Sequence, residues 1–589
     1  MLKRRFPTVD SLYISLALTG LMWVLPFLHY RHQYPLTTFY QEWWSALFGV
    51  LALIPFVLRG GHASHFSRVP RIVLLPLGLC GVVLLQFALG KIGYFDQALL
   101  YLLYFLLAAT LMQLGAMLRL HFGMPTLAAF LAMALLIGSE ADALLGILQH
   151  FRWATPLDPV LVMKVSTAVY GNLAQPNHYA NYLALGLISL GLLWQQKRLG
   201  SGAVILLAFP LLLTLTLSGS RSSWLYLLML AGLSWWWGRR DSQQQPLFRY
   251  SLLLIAAFSA MHGLVRLPFM QGADAGLDTL QRLFAEATSG SIRLYLWQEA
   301  WQIFMAHPWL GAGLGQFAWQ HFQLQPEMGG AAIQGLYNNA HNLILQMAAE
   351  VGLAGLIVLL LPLALWLHAS CRMPVDASHW WGLALLGVLA IHSLLEYPLW
   401  YAFFLGITAV LLGALDQAHY ALSLPRLARG SAALAALLGA LILIQLRTDY
   451  QQLERASSLR AASATAANDI EQQRREALMA AYTSPLLSPY AEFLISGSME
   501  ISPQRLSQKL ALNTRVLHFI PVGAVVYRQA FLLAQNGRIA EAEIIMAQAL
   551  RSYPEHFARV QAQLAALAEK DPAHFSALLE FALQKKQEL

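Results

Sequence analysis

An all-α, polytopic transmembrane helical bundle with a soluble helical tail is the fold class this sequence predicts, and three observations carry it. The 589-residue chain is 58% hydrophobic and only 12% charged, where a soluble globular chain carries about a quarter charged residues. Apolar runs near the roughly 20 residues that a helix needs to cross a bilayer recur as far as residue 446. Basic residues collect on alternate connections between those runs, as the positive-inside rule requires.

The candidate spans are 11–29, 44–58, 71–90, 97–117, 125–148, 180–196, 203–217, 222–238, 250–268, 342–368, 380–395, 399–416 and 431–446, about thirteen crossings in all. Lys3, Arg4 and Arg5 precede the first run, which puts the N-terminus in the cytoplasm. One set of connections then holds Arg59, Arg68, Arg71, Arg119, Lys197 and Arg198, and further along Arg239, Arg240, Arg249, Arg372, Arg426 and Arg429. The short connections of the other set hold little beyond Arg31, Lys91 and Arg221. MLKRRF leads into a long run with no small-residue cleavage site, so the first segment reads as an anchor and not as a removed signal peptide.

The net charge of +8 is absorbed by this orientation pattern, which leaves membrane lipid and no nucleic acid as the indicated partner surface. Cys80 and Cys371 are the two cysteines, and a single far-spaced pair is no disulfide framework.

Three segments fall on the outer face in this topology: about 149–179, a large loop at about 267–341, and everything after about 447. The chain thus divides into a transmembrane region, 1–446, and an extracytoplasmic helical domain, 447–589. In the tail, Ala, Glu, Gln and Arg replace the Leu-rich runs. Its stretch YRQAFLLAQNGRIAEAEIIMAQALRSYPEH reads as helix, turn at Gly537, and second helix. That is one tetratricopeptide-like hairpin or an ordinary helical bundle.

Polar groups at a membrane boundary are costly to keep, which makes them the candidates for chemistry. Four clusters lie on the outer face. GNLAQPNHYANYLALG (171–186) gathers Gln175, Asn177 and His178 where a helix begins, although Pro-Asn is also ordinary helix-start chemistry. SGSRSSWL (218–225) places Arg221 in a short turn, where it snorkels, pairs or meets an anion. SGSIRLYLWQEAWQIFMAHPWLGAGLGQF carries Arg293 on an amphipathic helix and ends in a glycine-rich turn; NNAHNLILQMAAEVGLAG follows, with His341, Asn342 and Glu350. HSLLEYPLWYAFF (392–404) supplies Glu396, Tyr397 and Tyr401, of which the tyrosines also suit an interfacial aromatic belt. The glycines at 311, 313 and 315 are no phosphate loop, because no Gly-Lys-Ser/Thr follows. No HExxH and no zinc-type Cys/His spacing occurs, so no metal and no cofactor is expected.

Together, GNLAQPNHYANYL, SGSRSSWL, HPWLGAGLGQF, AHNLILQMAAEVGLAG and LLEYPLWY resemble the Wzy/WaaL (O-antigen ligase) superfamily, and within it the PglL-type protein O-oligosaccharyltransferases most. The resemblance covers about 170–420 and adds a helical C-terminal domain that simpler O-antigen ligases usually lack. It implies transfer of an oligosaccharide from undecaprenyl diphosphate to a Ser or Thr hydroxyl of a periplasmic acceptor protein, often a pilin, at the bacterial inner membrane. By position it assigns function to Gln175, Arg221, Arg293, His341 and either Tyr397 or Tyr401. The arginines would clamp the diphosphate, and His341 would accept the hydroxyl proton. Asn177, His178, Asn342 and Glu396 stand beside these as substrate-binding candidates. Glu140 and Asp142, inside the fifth span, have no counterpart in it.

Two other readings are open. An O-antigen ligase or a glycan polymerase would act on the same lipid-linked donor. A polytopic transporter or lipid flippase would put its polar groups near mid-membrane in repeated halves, whereas these clusters lie at one face and no internal repeat is visible.

Overall fold

The computed structural model describes residues 11–59, 66–165, 167–270, 272, 287–324, 335–459 and 467–588. The basic N-terminal tripeptide and much of the predicted 267–341 loop, namely 273–286 and 325–334, lie outside the described residues.

Among the described residues the chain is all-α apart from one short antiparallel pair, Arg68–Pro70 with His419–Ala421. A helix or a broken helix fills each of the apolar runs read from the sequence, from Leu12–Met22 with Leu25–Leu28 to Pro425–Ser458. Among the described residues, seven helices are long and apolar enough to cross a membrane, and shorter apolar helices occupy Leu12–Leu28, Ser201–Leu217 and Ala402–Leu415.

Two compact units make up the chain. The first comprises 1–77, 104–290 and 359–444. At its centre lies the helix Pro176–Gln195, buried on every side from His178 to Leu193. Neighbouring helices shield it on all sides, which also covers its polar Asn181 and Ser189. Met124–Phe151, Ser201–Leu217 and Ala377–Ser393 pack around it. Glycines allow the close approaches: a Cβ at Gly138 or Gly146 would strike the hydroxyls of Tyr182 and Tyr179.

The second unit comprises 78–103, 291–358 and 445–589. Its C-terminal part stacks helices Leu506–Phe519, Gly523–Gln535, Ile539–Ser552, Phe557–Lys570 and Pro572–Glu588 on a core that includes Tyr527, Phe531, Met546, Leu564 and Phe575. The turn expected at Gly537 is present, with φ +75°, a conformation that glycine adopts without steric cost.

Candidate functional site

In the first unit, three of the motifs singled out from the sequence meet. Ala174 takes a left-handed conformation (φ +56°) and turns the chain into Pro176–Gln195. Gln175 is the N-cap of that helix: its side-chain oxygen accepts the His178 amide at 2.5 Å. Asn177, the second residue of the helix, reaches two other segments. Its amide nitrogen donates to Glu396 Oε1 at 2.8 Å, and its amide oxygen accepts from the Ser220 hydroxyl at 2.8 Å. Ser220 also bonds Ser222 at 2.8 Å. One side chain thereby ties GNLAQPNH, SGSRSS and LLEYPLWY together. Arg221, between the two serines, is half-buried.

His178 lies below this knot. Its Nδ1 stands 2.9 Å from Nε2 of His392, and Nδ1 of His392 stands 2.9 Å from the Tyr226 hydroxyl. All three residues are buried. The His178 ring meets Tyr401 edge-on at 5.1 Å, and Tyr401 and Tyr397 lie 5.8 Å apart. Burial raises the Tyr397 phenol above its ordinary range; a hydrogen bond with Tyr401 opposes the rise and the charge of Glu396 adds to it. Tyr397 is therefore a protonated phenol at neutral pH.

Asp142, without an account from sequence, has a structural one. Its Oδ1 accepts the Asn172 amide at 3.0 Å. Gln149 on the same helix holds the carbonyls of Val162 and Gly171 and the amide of Tyr170. Met124–Phe151 thus fixes the loop that delivers Gln175 and Asn177. Glu140 Oε1 is buried and has no hydrogen-bond partner among the described residues.

Arg293, His341 and Asn342 belong to the second unit. Arg293 is half-buried on the helix Ala287–Ala306. His341 is held at φ +52°, with its amide donating to Asn339 Oδ1 at 2.8 Å. A non-glycine residue at positive φ is uncommon and often marks a functional position. Asn342 caps the helix Leu343–Ser370, its Oδ1 accepting the amides of Ile344 and Leu345 at 3.1 Å.

That helix breaks at Gly352 (φ +62°), and the glycine-rich turn repairs the break. Ala312 and Gly313 donate to the carbonyls of Ala349 and Glu350, at 2.9 and 3.0 Å. Leu353 and Ala354 donate to the carbonyls of Pro308 and Trp309, at 2.8 and 3.0 Å. Glu350 Oε1 accepts the Phe317 amide at 3.1 Å, and Lys91 donates to the Gly311 carbonyl at 2.8 Å. HPWLGAGLGQF is therefore a structural clamp on the helix that starts beside His341. Burial, with Lys91 nearby, lowers the His307 imidazole, which keeps it neutral at neutral pH.

Of the residues in this network, His392, Tyr226, Ser220 and Ser222 were not singled out from the sequence. His392 carries a readable signal, since it is a histidine near the end of an apolar run, four residues before Glu396. Among the described residues no group of His, Cys, Asp and Glu side chains could hold a metal ion.

Comparison with known proteins yields three family matches. Residues 169–194 match "Protein glycosylation ligase", 202–360 match "O-Antigen ligase", and 380–567 match "Virulence factor membrane-bound polymerase, C-terminal". The chain is 27% identical over 419 residues to a general O-oligosaccharyltransferase of Acinetobacter baylyi, covering 69% of this chain and 70% of that protein. It is 24% identical over 238 residues to a ComP-specific O-oligosaccharyltransferase of the same organism, covering 40% and 41%.

Proposed function

We infer that this multi-pass membrane protein, a PglL-type glycosyltransferase of the O-antigen ligase superfamily, glycosylates proteins by transferring an oligosaccharide from undecaprenyl diphosphate to a Ser or Thr hydroxyl of a periplasmic acceptor such as a pilin. The observation that carries the reading is the knot at Asn177, which gathers three motifs of the family around Arg221. In this reading the chain crosses the bacterial inner membrane about thirteen times from a cytoplasmic N-terminus. The active site and the helical, tetratricopeptide-like domain 447–589 face the periplasm.

The chemistry has two demands, a diphosphate leaving group and a weak hydroxyl nucleophile. Arg221 and Arg293 clamp the diphosphate by charge-assisted hydrogen bonds. A close charge pair is worth about 4 kcal/mol at an effective dielectric near 20, before desolvation costs. Only the part that grows toward the transition state speeds the reaction. His341 accepts the hydroxyl proton, a role worth about 10²–10⁴-fold. Gln175 sets the start of its helix, Asn177 and Glu396 hold the motifs in register, and Tyr397 or Tyr401 orients a substrate. His178 and Asn342 border the substrates, the first positioned by His392 and Tyr226. Displacement is direct, needs no metal, and inverts the anomeric carbon.

The O-antigen ligase match over 202–360 favours a second reading, with a lipid A core acceptor. Cells supplying an undecaprenyl-linked glycan and a pilin-like protein separate the two. Wild type should glycosylate the protein and His341→Ala should lose at least about a hundredfold. Capped lipid A core with unmodified protein would favour the ligase, and full transfer by the variant would remove His341 as the base.

A further inference from the structure

The helix Ala287–Ala306 carries two apolar faces. One packs inward: Leu296, Ala300 and Ile303 join Phe317, Ala340 and Ala349 in a buried cluster beside the segment that carries His341. The other is open. Leu294, Trp301 and Met305 are between 53% and 63% exposed, and their spacing of seven and four residues puts them on one face. Gln298 and Ala306 are the other exposed positions among the described residues of this helix, so the open face holds no charge. Trp309, three residues past the helix end, is 72% exposed. A helix that is apolar on both sides needs a second cover.

Where the open face is tied decides what covers it. The carbonyls of Pro308 and Trp309 accept the amides of Leu353 and Ala354, at 2.8 and 3.0 Å, and the Leu310 carbonyl accepts from the Gln86 side chain at 2.6 Å. These partners lie on two helices long and apolar enough to cross a membrane, Leu343–Ser370 and Arg71–Ala88. In Leu343–Ser370, the residues from Gln346 to Gly352 are buried. Beyond the break, Leu353, Ile357, Leu361 and Leu365 are exposed, as the lipid-facing side of a span must be.

Length fixes the depth. From Leu353 to Ser370 the helix rises about 27 Å, close to the roughly 30 Å of a bilayer's hydrocarbon core. Arg71–Ala88 has 18 residues and the same reach. Leu84, Leu85 and Leu89 are exposed at its end, around Gln86. Two separate helices therefore put Trp309 at the edge of the hydrocarbon core, the level at which Trp side chains collect.

We propose that Ala287–Ala306 is an interfacial helix, whose open face lies with Trp309 in the lipid headgroup layer on the His341 side of the membrane. The partner is the lipid surface, because the exposed stripe runs without a charged break into the lipid-facing sides of two membrane-crossing helices. Arg293 sits about 100° around the helix from Leu294, which holds it at the level of lipid phosphates. The consequence for the donor rests on the oligosaccharyl-transfer reading: the diphosphate of a polyprenyl donor lies in that same layer, and the membrane seat brings Arg293 to it.

Spin labels test the depth without any need for transfer. Trp301→Cys and Met305→Cys are labelled in the full-length protein carrying Cys80→Ser and Cys371→Ser, in nanodiscs of phosphatidylethanolamine and phosphatidylglycerol. Ile544→Cys, exposed on the C-terminal helices, is the aqueous reference. Labels at 301 and 305 should favour collision with oxygen over a water-soluble nickel chelate, the reverse of the label at 544. Nickel access equal to that at 544 would overturn the seat, and so would labels shielded from both reagents by a protein partner or a second copy. With a polyprenyl-diphosphate oligosaccharide in the same discs, Trp301→Glu should raise the donor KM roughly five- to tenfold and leave the acceptor KM and the unfolding temperature unchanged. A raised acceptor KM instead would overturn the seat in favour of the acceptor protein, and an unchanged donor KM would overturn the link to Arg293. The expected depths in a wild type that transfers nothing would keep the seat and sink the transfer reading alone.

Discussion

His178 and His392 share a hydrogen bond through Nδ1 and Nε2, and Tyr226 closes the far end of the chain. Such a chain has two neutral arrangements. With Tyr226 donating, His178 presents N–H at Nε2; with the protons reversed, it presents a lone pair there. Glutamine places an amide nitrogen near the position of a histidine Nε2 but cannot take up a proton. His392→Gln, which keeps a hydrogen-bonding group toward His178, should therefore keep transfer within about threefold, while His392→Leu should lose more than about tenfold. Equal losses in His392→Gln and His392→Leu would reduce His392 to packing. Sequence made Asn177 and Glu396 visible, because polar groups stand out at the ends of apolar runs. It hid His392 and Tyr226, whose partners lie 214 and 166 residues away in the chain. Asp142 was visible but unexplained for the same reason: its meaning is the Asn172 amide, 30 residues on.

Among elements, the broken helix Leu343–Ser370 carries the most consequence. Gly352 opens its hydrogen-bond ladder, and the turn 308–313 satisfies the freed amides and carbonyls. Irregular backbone at membrane depth survives only where protein supplies such partners. Gly311 and Gly352 both sit at positive φ, and a Cβ on either would meet backbone atoms of the other segment within 2.6 Å. Gly311→Ala or Gly352→Ala should therefore cost at least about 2 kcal/mol and lower the unfolding temperature of the purified protein. Gly430→Ala, with open space around it, should not. Unchanged melting in all three would mean that the clamp is not formed. The sequence made the glycine-rich turn legible and excluded a phosphate loop. A single break inside a continuous apolar run has no periodicity signal, so the helix read as unbroken.

At the scale of the whole molecule, composition and basic-residue placement were enough to locate the helices, because lipid allows few alternatives to a long apolar helix. The division into two units was not legible. Segments 78–103 and 291–358 cluster with the tail through packing that no local pattern reports. Arg221 and the Asn177 knot consequently fall in one unit, and Arg293 with His341 in the other. The proposed chemistry uses Arg221 and His341. Purified full-length protein, given only a polyprenyl-diphosphate oligosaccharide, an acceptor protein and a chelator, tests that chemistry most directly. Mass spectrometry should find the intact glycan on an acceptor Ser or Thr, lost in Arg221→Ala and in His341→Ala alike. Transfer that survives both substitutions, or a wild type that leaves the protein unmodified, would contradict it.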